Sequence, residues 1–505
     1  MKRRRTGLKT VLAAVAALSL LTTACGGGNS ASGVPDDGGP MPVSIMSMYF
    51  TPEPPGADNV VVQEIEKRTN TDLNITWVSP NSYGDKVNVT LASGDIPDLM
   101  LVNDPFSAQV RTMVQQGAFW DLTPYLDDYP NLKKFPEESW INTKQADGKN
   151  YGIPRVRPVE GGPFLFLRKD WLDNLKLEVP KTTDELYEVF RAFTKDDPDG
   201  NGQDDTIGFT GLVNQDNMGG YGAIVSAFTQ TTGDWKEVDG KLVNVNLLPE
   251  MREALEWINK AYTEGLISED LAVLKESQTK DQLNAGRAGA AVNTVEAAWE
   301  PTEAQLKTNP DADFLPLVSL NGWNNRDGGF FGMFVIPKTV SEEKMKKLLE
   351  LMDYGASEEG GTLASYGLEG VHYTEENGIK MATEKAKTDI VASQALGQIF
   401  MSYDKYMRAY RSGMPNEIFE RNKKIIDERA ESSVPDKAIG LYSETGVSAG
   451  PELSKDIQDI KTKIILGKQP LSAWDAYVEK LKANPDLQKI TEELNEAYKQ
   501  RQSAS

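Results

Sequence analysis

The chain is poor in the residues that redox proteins and many hydrolases rely on. Among 505 residues, Cys25 is the only cysteine and His372 the only histidine. A single cysteine excludes an intramolecular disulfide framework. A single histidine leaves one residue for any His-based triad. His372 therefore reads as a surface or packing residue. No P-loop is present, and no Gly-x-Gly-x-x-Gly follows a strand. Positive charge is also scarce: 54 Lys and Arg stand against 75 Asp and Glu, a net charge of −21. A basic nucleic-acid footprint is absent, and nucleic acid is not an expected partner. The apolar run at residues 11–21 is too short to span a bilayer.

That run sits in an informative setting. Lys2, Arg3, Arg4, Arg5 and Lys9 precede it, and Ala24 and Cys25 follow it. The layout is a secretory signal peptide over residues 1–24. It resembles a bacterial lipobox, which implies that Cys25 is lipidated and becomes the new N-terminus. Leu21 stands four residues before Cys25, one further than the usual pattern, and Thr22 fills the expected place. Cleavage before Cys25 removes five cations and no acid, so the charge falls from −21 to −26. Residues 25–40 are rich in Gly, Ser, Pro and Asp and read as a flexible tether. The expected location is the extracellular face of the cell membrane, held by lipid.

From Met41 the pattern is α/β. Val43 to Met46 suggests a strand, Asn59 a helix cap, and the alternation of Leu73, Ile75 and Trp77 a second strand. Leu99, Met100, Leu101 and Val102 form a short buried run. Thr182 and Glu185 make a capping box ahead of Leu186, Val189, Phe190 and Phe193 on one helix face. Leu255, Ile258 and Tyr262 form another stripe, and Ser341 opens a helix with Met345, Leu348, Leu349 and Met352 inward. Strands alternating with helices suggest parallel sheets with crossover connections. A chain of this length calls for two or more folding units.

Several motifs occur in a telling order: Ala92-Ser93-Gly94-Asp95-Ile96-Pro97-Asp98, Asp147-Gly148-Lys149-Asn150-Tyr151-Gly152-Ile153-Pro154, Arg168-Lys169-Asp170-Trp171-Leu172 with Pro180-Lys181-Thr182, Tyr366-Gly367-Leu368-Glu369-Gly370, and Pro470-Leu471-Ser472-Ala473-Trp474. The ordered set resembles the bacterial extracellular solute-binding proteins, family 1, of the LipO/LplA and alginate-oligosaccharide-binding type. The resemblance implies a type II periplasmic-binding-protein-like fold with two α/β lobes, a hinge and an interlobe cleft. It places crossovers near 158–163, 305–313 and 354–361. Lobe one would be 41–157 with 311–352, and lobe two 163–304 with 361–505. It also implies a monomer that binds an oligosaccharide and delivers it to ABC permease subunits. A surface-anchored glycosidase or lyase is the alternative, although no motif selects a catalytic pair among 75 acidic residues.

The sharpest local motif is Asp197-Pro198-Asp199-Gly200-Asn201-Gly202-Gln203-Asp204-Asp205. Oxygen side chains at Asp197, Asp199, Asn201 and Asp205, the bend at Gly202 and the Gln203 carbonyl follow a calcium-loop pattern. Hard oxygens suit structural Ca²⁺, whereas zinc would want Cys or His. Position twelve is Gly208, which departs from an EF-hand. The related alginate-binding proteins imply a ligand at the tenth position, here Thr206.

Sugar sites pair aromatic faces with polar edges. Resemblance to maltose-type relatives implies that Trp299, after Gly289-Ala290-Ala291-Val292, stacks on sugar. Tyr49 ends the first strand. Asn103 and Asp104 follow the buried run at 99–102, where open α/β sheets hold ligands. Arg155 and Arg157 could clamp acidic sugars bidentately. Asn214 and Tyr221 lie in one Gly-rich loop and Trp323 in another. Trp171, Trp257 and Trp474 read as core from their helical settings.

Overall fold

The computed structural model describes residues 38–376, 379–411 and 413–504, so Cys25 and the signal peptide lie outside the described residues. Lobe one is built on a five-stranded sheet in the order Thr71–Val78, Met41–Met48, Leu99–Val102, Phe330–Val335, Gly152–Val156. The first three strands are parallel, and Phe330–Val335 runs antiparallel to both its neighbours. All four residues of Leu99–Val102 are buried, as befits a strand covered on both faces. Helix Val60–Thr69 connects the first two strands and is capped by Asn59, whose Oδ1 accepts from Val61 N at 2.9 Å. Asp98 locks the sheet to helix Glu342–Ala356. It accepts from Ser44 N at 2.8 Å and pairs with the buried Lys344 at 2.9 Å.

Lobe two has a smaller antiparallel sheet in the order Ala290–Asn293, Phe164–Arg168, Phe314–Pro316. Helices Thr183–Lys195, Pro249–Thr263 and Glu444–Ile465 enclose an aromatic core that includes Trp171, Phe190, Phe193, Trp257 and Trp474. The capping box of Thr182 and Glu185 forms in both directions and starts the first of these helices. His372 is buried and accepts from Leu368 N at 2.9 Å through Nδ1, a packing role.

The lobe limits differ from those the resemblance implied. Residues 311–323 join lobe two, because Phe314–Pro316 pairs with Phe164–Arg168 and Leu317, Leu320 and Trp323 enter that core. Residues 305–313 stay inside lobe two: Gln305 donates to Leu283 O at 3.0 Å, and Asp313 holds Arg421 at 2.6 Å. Residues 354–361 stay inside lobe one. Ala356, Leu363, Ala364, Ile390 and Phe400 pack on the lobe-one core, so that lobe extends to about residue 400. The chain passes between lobes at 157–163, 324–329 and 401–411. The first two passages pair directly, Arg157 N donating to Gly329 O and Asp327 N to Val159 O, each at 2.8 Å. A further strand, Ser433–Pro435, runs beside Asn324–Arg326.

Gly332 has a functional geometry. Its φ is +92°, and a Cβ there would lie 2.3 Å from Val102 O. The register of Phe330–Val335 shifts at this point, a bulge that only glycine permits so close to the neighbouring backbone. Gly332→Ala is expected to destabilise lobe one by ~2 kcal/mol or more, combining overpacking with a strained dihedral. Urea denaturation measures this, and an unchanged midpoint contradicts it.

Asp436, just after Ser433–Pro435, has its carboxyl pushed up to about 6, first by burial and then by nearby Asp234. A raised carboxyl favours folding below its unfolded value of 3.8 and loses that contribution as pH rises through about 6. Asn would keep the oxygen that accepts from Ala438 N at 2.8 Å. Asp436→Asn is therefore expected to raise stability at pH 7 by roughly 2 kcal/mol and to be neutral near pH 3.5. Thermal melts across pH read this out, and a gain that is the same at both pH values contradicts it.

Candidate ligand-binding site

The carboxyl ends of the parallel strands in lobe one point toward the passages. Tyr49 and Phe50 follow Met41–Met48, and Phe50 is 57% exposed. Exposed Asn103 and Asp104 follow Leu99–Val102, and Asp104 Oδ1 turns the chain by accepting from Phe106 N at 3.0 Å. Ligands in open α/β sheets sit at such ends. The bulge at Gly332 brings Phe331 alongside, since a Cβ on Gly332 would lie 2.9 Å from Asn103 Cα. Phe331 keeps 36% of its surface exposed, unusual for an aromatic on a central strand.

Two guanidinium groups cover Phe331. Arg155 stands 5.1 Å and Arg157 5.2 Å from its ring centroid. Arg155 is buried; its Nε donates to Gln398 O at 3.2 Å, and its Nη2 holds Gln398 Oε1. Its Nη1 is buried without a partner. Burial, and then Arg157, push the Arg155 guanidinium well below its usual range. Arg157 is lowered by burial and by Arg408, while Asp327 and Glu296 oppose the shift. Cations crowded in this way favour an incoming carboxylate, which can take bidentate hydrogen bonds.

Lobe two faces them with Asn293, Thr294 and Glu296, at the end of strand Ala290–Asn293. The Glu296 carboxyl is raised by burial, and its Oε2 has no partner. The third passage adds Arg408, paired with Asp327 at 3.1 Å, and Arg411, paired with Glu300 at 2.8 Å. The site thus offers aromatic faces, several guanidinium donors and a buried acceptor.

The sequence-derived candidates separate into groups. Tyr49, Asn103, Asp104, Arg155 and Arg157 gather at the lobe-one side. Trp299 opens helix Trp299–Gln305 and is 5% exposed; its indole N–H is buried without a partner, and the segment around Gly413 covers it. Asn214 is exposed, but its amide donates to Asn217 Oδ1 at 2.7 Å within its own loop. Tyr221 and Trp323 are corrected: both sit in the lobe-two core, 0% and 2% exposed, where Tyr221 meets Phe209 and Trp323 meets Phe164. Sequence reasoning missed Phe331, Arg408 and Asp327. The pair Phe330-Phe331 between glycines was the available signal for the first, whereas nothing local marks the other two.

The loop at 197–205 is ordered by its own backbone. Asp197 accepts from Asn201 N and Gly202 N, each at 3.0 Å, and Asn201 Oδ1 accepts from Gln203 N at 2.7 Å. Asn201 Nδ2 donates to Asp199 at 2.9 Å and to Asp205 at 3.3 Å. Burial raises the Asp199 carboxyl, and Asp197 and Asp205 add to the shift. Among the described residues, no cluster of three or more Asp, Glu, His or Cys side chains is arranged to hold a metal ion. The donor set of Asp197, Asp199, Asn201 and Asp205 is nonetheless hard oxygen throughout, the chemistry that Ca²⁺ takes. Thr206 does not fit as a side-chain ligand, because its buried hydroxyl donates to Phe193 O at 2.8 Å.

Comparison with known proteins gives a consistent picture. The family described as bacterial extracellular solute-binding protein matches residues 51–362. The chain is 33% identical to the polygalacturonan/rhamnogalacturonan-binding protein YtcQ of Bacillus subtilis (strain 168), over 94% of each chain. It is 31% identical to lipoprotein LipO of the same organism, over 93% of this chain and 94% of that protein. Among solved structures, a solute-binding protein from Bifidobacterium longum infantis, described as HMO-binding and ABC-transporter associated, superposes with a TM-score of 0.73. It is 21% identical, and the match covers 91% of this chain and 99% of that one. No helix among the described residues is long and apolar enough to cross a membrane.

Proposed function

The chain belongs to the bacterial extracellular solute-binding proteins, and from that premise we propose that it captures a uronate-bearing oligosaccharide between its lobes and delivers it to an ABC permease. The observation that carries the acidic specificity is the pair Arg155 and Arg157 over Phe331, with Arg155 Nη1 buried and unpaired. An unmet donor in a low-dielectric site is costly until a ligand oxygen meets it. The match to a relative described as polygalacturonan/rhamnogalacturonan-binding supports the same reading. Tyr49, Phe50 and Phe331 would face sugar rings. Asn103, Asp104 and Glu296 would take hydroxyl edges, and the Trp299 indole N–H would donate where the Gly413 segment opens. Capture trades ordered water for stacking and hydrogen bonds and makes no covalent bond. The protein works as a monomer, anchored to the outer face of the membrane through lipid on Cys25, as the match to a lipoprotein supports.

Calorimetry with oligogalacturonides checks this reading. Stoichiometric binding is expected, and Arg157→Ala should weaken it ~10–100-fold, the worth of a charge-assisted hydrogen bond. Chromatography of the same mixture should show the glycan unchanged. Equal affinity in the variant, or release of shorter sugars, contradicts the proposal.

The loop at 197–205 would hold one structural Ca²⁺ through Asp197, Asp199, Asn201, the Gln203 carbonyl and Asp205. The ion would neutralise the Asp197 and Asp205 charges that now raise the Asp199 carboxyl. EDTA is expected to lower the melting temperature by about 3–8 °C, as loss of a ligand bound only by the native state does. Asp199→Asn should abolish that shift. Elemental analysis finding no calcium, together with an unchanged melt, contradicts the assignment.

A further inference from the structure

Beside the arginine cluster, a cavity of about 510 Å³ opens mainly in lobe two, and none of the residues assigned above to glycan capture lines it. Its wall comes from helix Glu444–Ile465 and the segment around Trp235 to Asn246, with apolar surface from Met251 and Ile457. Lobe one contributes Phe106 and Arg111 at one side. Arg111 lies between the rings of Phe106 and Tyr442, 5.0 and 4.5 Å from their centroids, and donates to Phe106 O at 2.8 Å.

Two polar groups inside this cavity are unmatched. Lys461 is 6% exposed, and among the described residues no hydrogen bond or ion pair engages its ammonium. Its surroundings are the Trp474 ring, 5.9 Å from Nζ, and the carboxylate of Asp234, whose charge opposes the effect of burial. Burial lowers its titration to about 8, so it is still charged at neutral pH. Asn246 is 5% exposed; its Nδ2 donates to Asn244 Oδ1 at 2.9 Å, and its Oδ1 has no partner. A buried, unpaired ammonium is expensive to maintain, and apolar packing of the same volume would serve the fold better. The cavity is also within the usual size range of small-molecule pockets, about 300–1,000 Å³.

We propose that this cavity is a second ligand site for a carboxylate-bearing molecule of monosaccharide size, its carboxylate on Lys461 and a hydroxyl donated to Asn246 Oδ1. The apolar body of the ligand lies against Trp235 and Met251. Such a carboxylate could belong to a free sugar acid or to the acidic end of a longer glycan, and both present the same chemistry to Lys461.

The test is calorimetry of full mature protein carrying Arg157→Ala, which weakens the cleft contact, titrated with D-galacturonate and with D-galactose. Galacturonate is expected to bind at least ~10-fold more tightly than galactose. Adding Lys461→Met should weaken galacturonate ~10-fold or more, and Asn246→Ala should weaken it independently. Lys461→Met should melt no lower than its parent, because it removes a buried unpaired cation. Repeating the titration with the protein saturated by oligogalacturonide separates the sources: retained binding assigns the site to a free acid, and displacement assigns it to the end of the glycan. Unchanged galacturonate affinity in Lys461→Met, equal affinity for galactose, or no binding by the parent overturns the proposal. Because every comparison is made in the Arg157→Ala background, these outcomes do not depend on the role of Arg157.

Discussion

Three arginines hold the passages between the lobes, and the geometry of the site depends on them. Arg429 is buried and donates to Leu317 O at 2.7 Å and to Gly162 O at 3.2 Å. Arg326 joins the second passage to the first through Glu160 at 2.9 Å. Arg408 joins the third passage to both, through Asp327 at 3.1 Å and Pro158 O at 3.5 Å. Arg429 is fully buried, whereas Arg326, Arg408 and Asp327 are half-buried, so breaking either of those ion pairs costs less than breaking a fully buried one. The two hydrophobic cores are separate, so this polar lattice fixes how the faces meet. Arg155 and Arg157 emerge from the same first passage, which is why their positions over Phe331 are set by the junction as well as by the lobe-one sheet.

Glycine places the aromatic groups on either side of that junction, in opposite senses. Gly332 allows a bulge that turns Phe331 outward from a buried strand. Gly219, with φ +49° and a Cβ site 2.2 Å from Leu212 O, lets the loop fold tightly enough for Tyr221 to drop into the core. Both aromatics stand beside glycines in the sequence, and only the packing distinguishes them. This explains why Tyr221 and Trp323 looked like cleft residues and Phe331 did not.

The elements themselves were more legible. Asn59, Thr182 with Glu185, and Ser341 act through contacts three residues or fewer away, and each caps its helix. The stripes of Leu186, Phe190 and Leu255, Ile258 repeat at helical spacing and are buried. The lobe limits were less legible because they depend on distant pairing. Nothing near residue 314 announces that it will pair with Arg168, and nothing near residue 390 shows which core it will join. Asp327 and Arg408 meet across 81 positions of sequence, and no local pattern signals that contact.

An acidic protein that grips an acidic ligand needs a physical account. The chain carries −21, and surface charges of that sign repel an approaching polyanion. Salt screens such charges beyond ~8–10 Å, so the repulsion is felt mainly at the mouth of the site. Inside, the balance reverses: Arg155 is buried, Arg157 partly so, and a low dielectric strengthens their attraction for a carboxylate severalfold over its value in water. The outer field therefore penalises the encounter rate while the inner guanidinium pair governs release. An oligomer with several carboxylates feels the outer field more strongly than a single unit does, but can also meet more of Arg155, Arg157, Arg408 and Arg411. Selection among acidic glycans then falls to how many of those cations a given spacing of carboxylates can reach, which is a property of the junction rather than of the net charge.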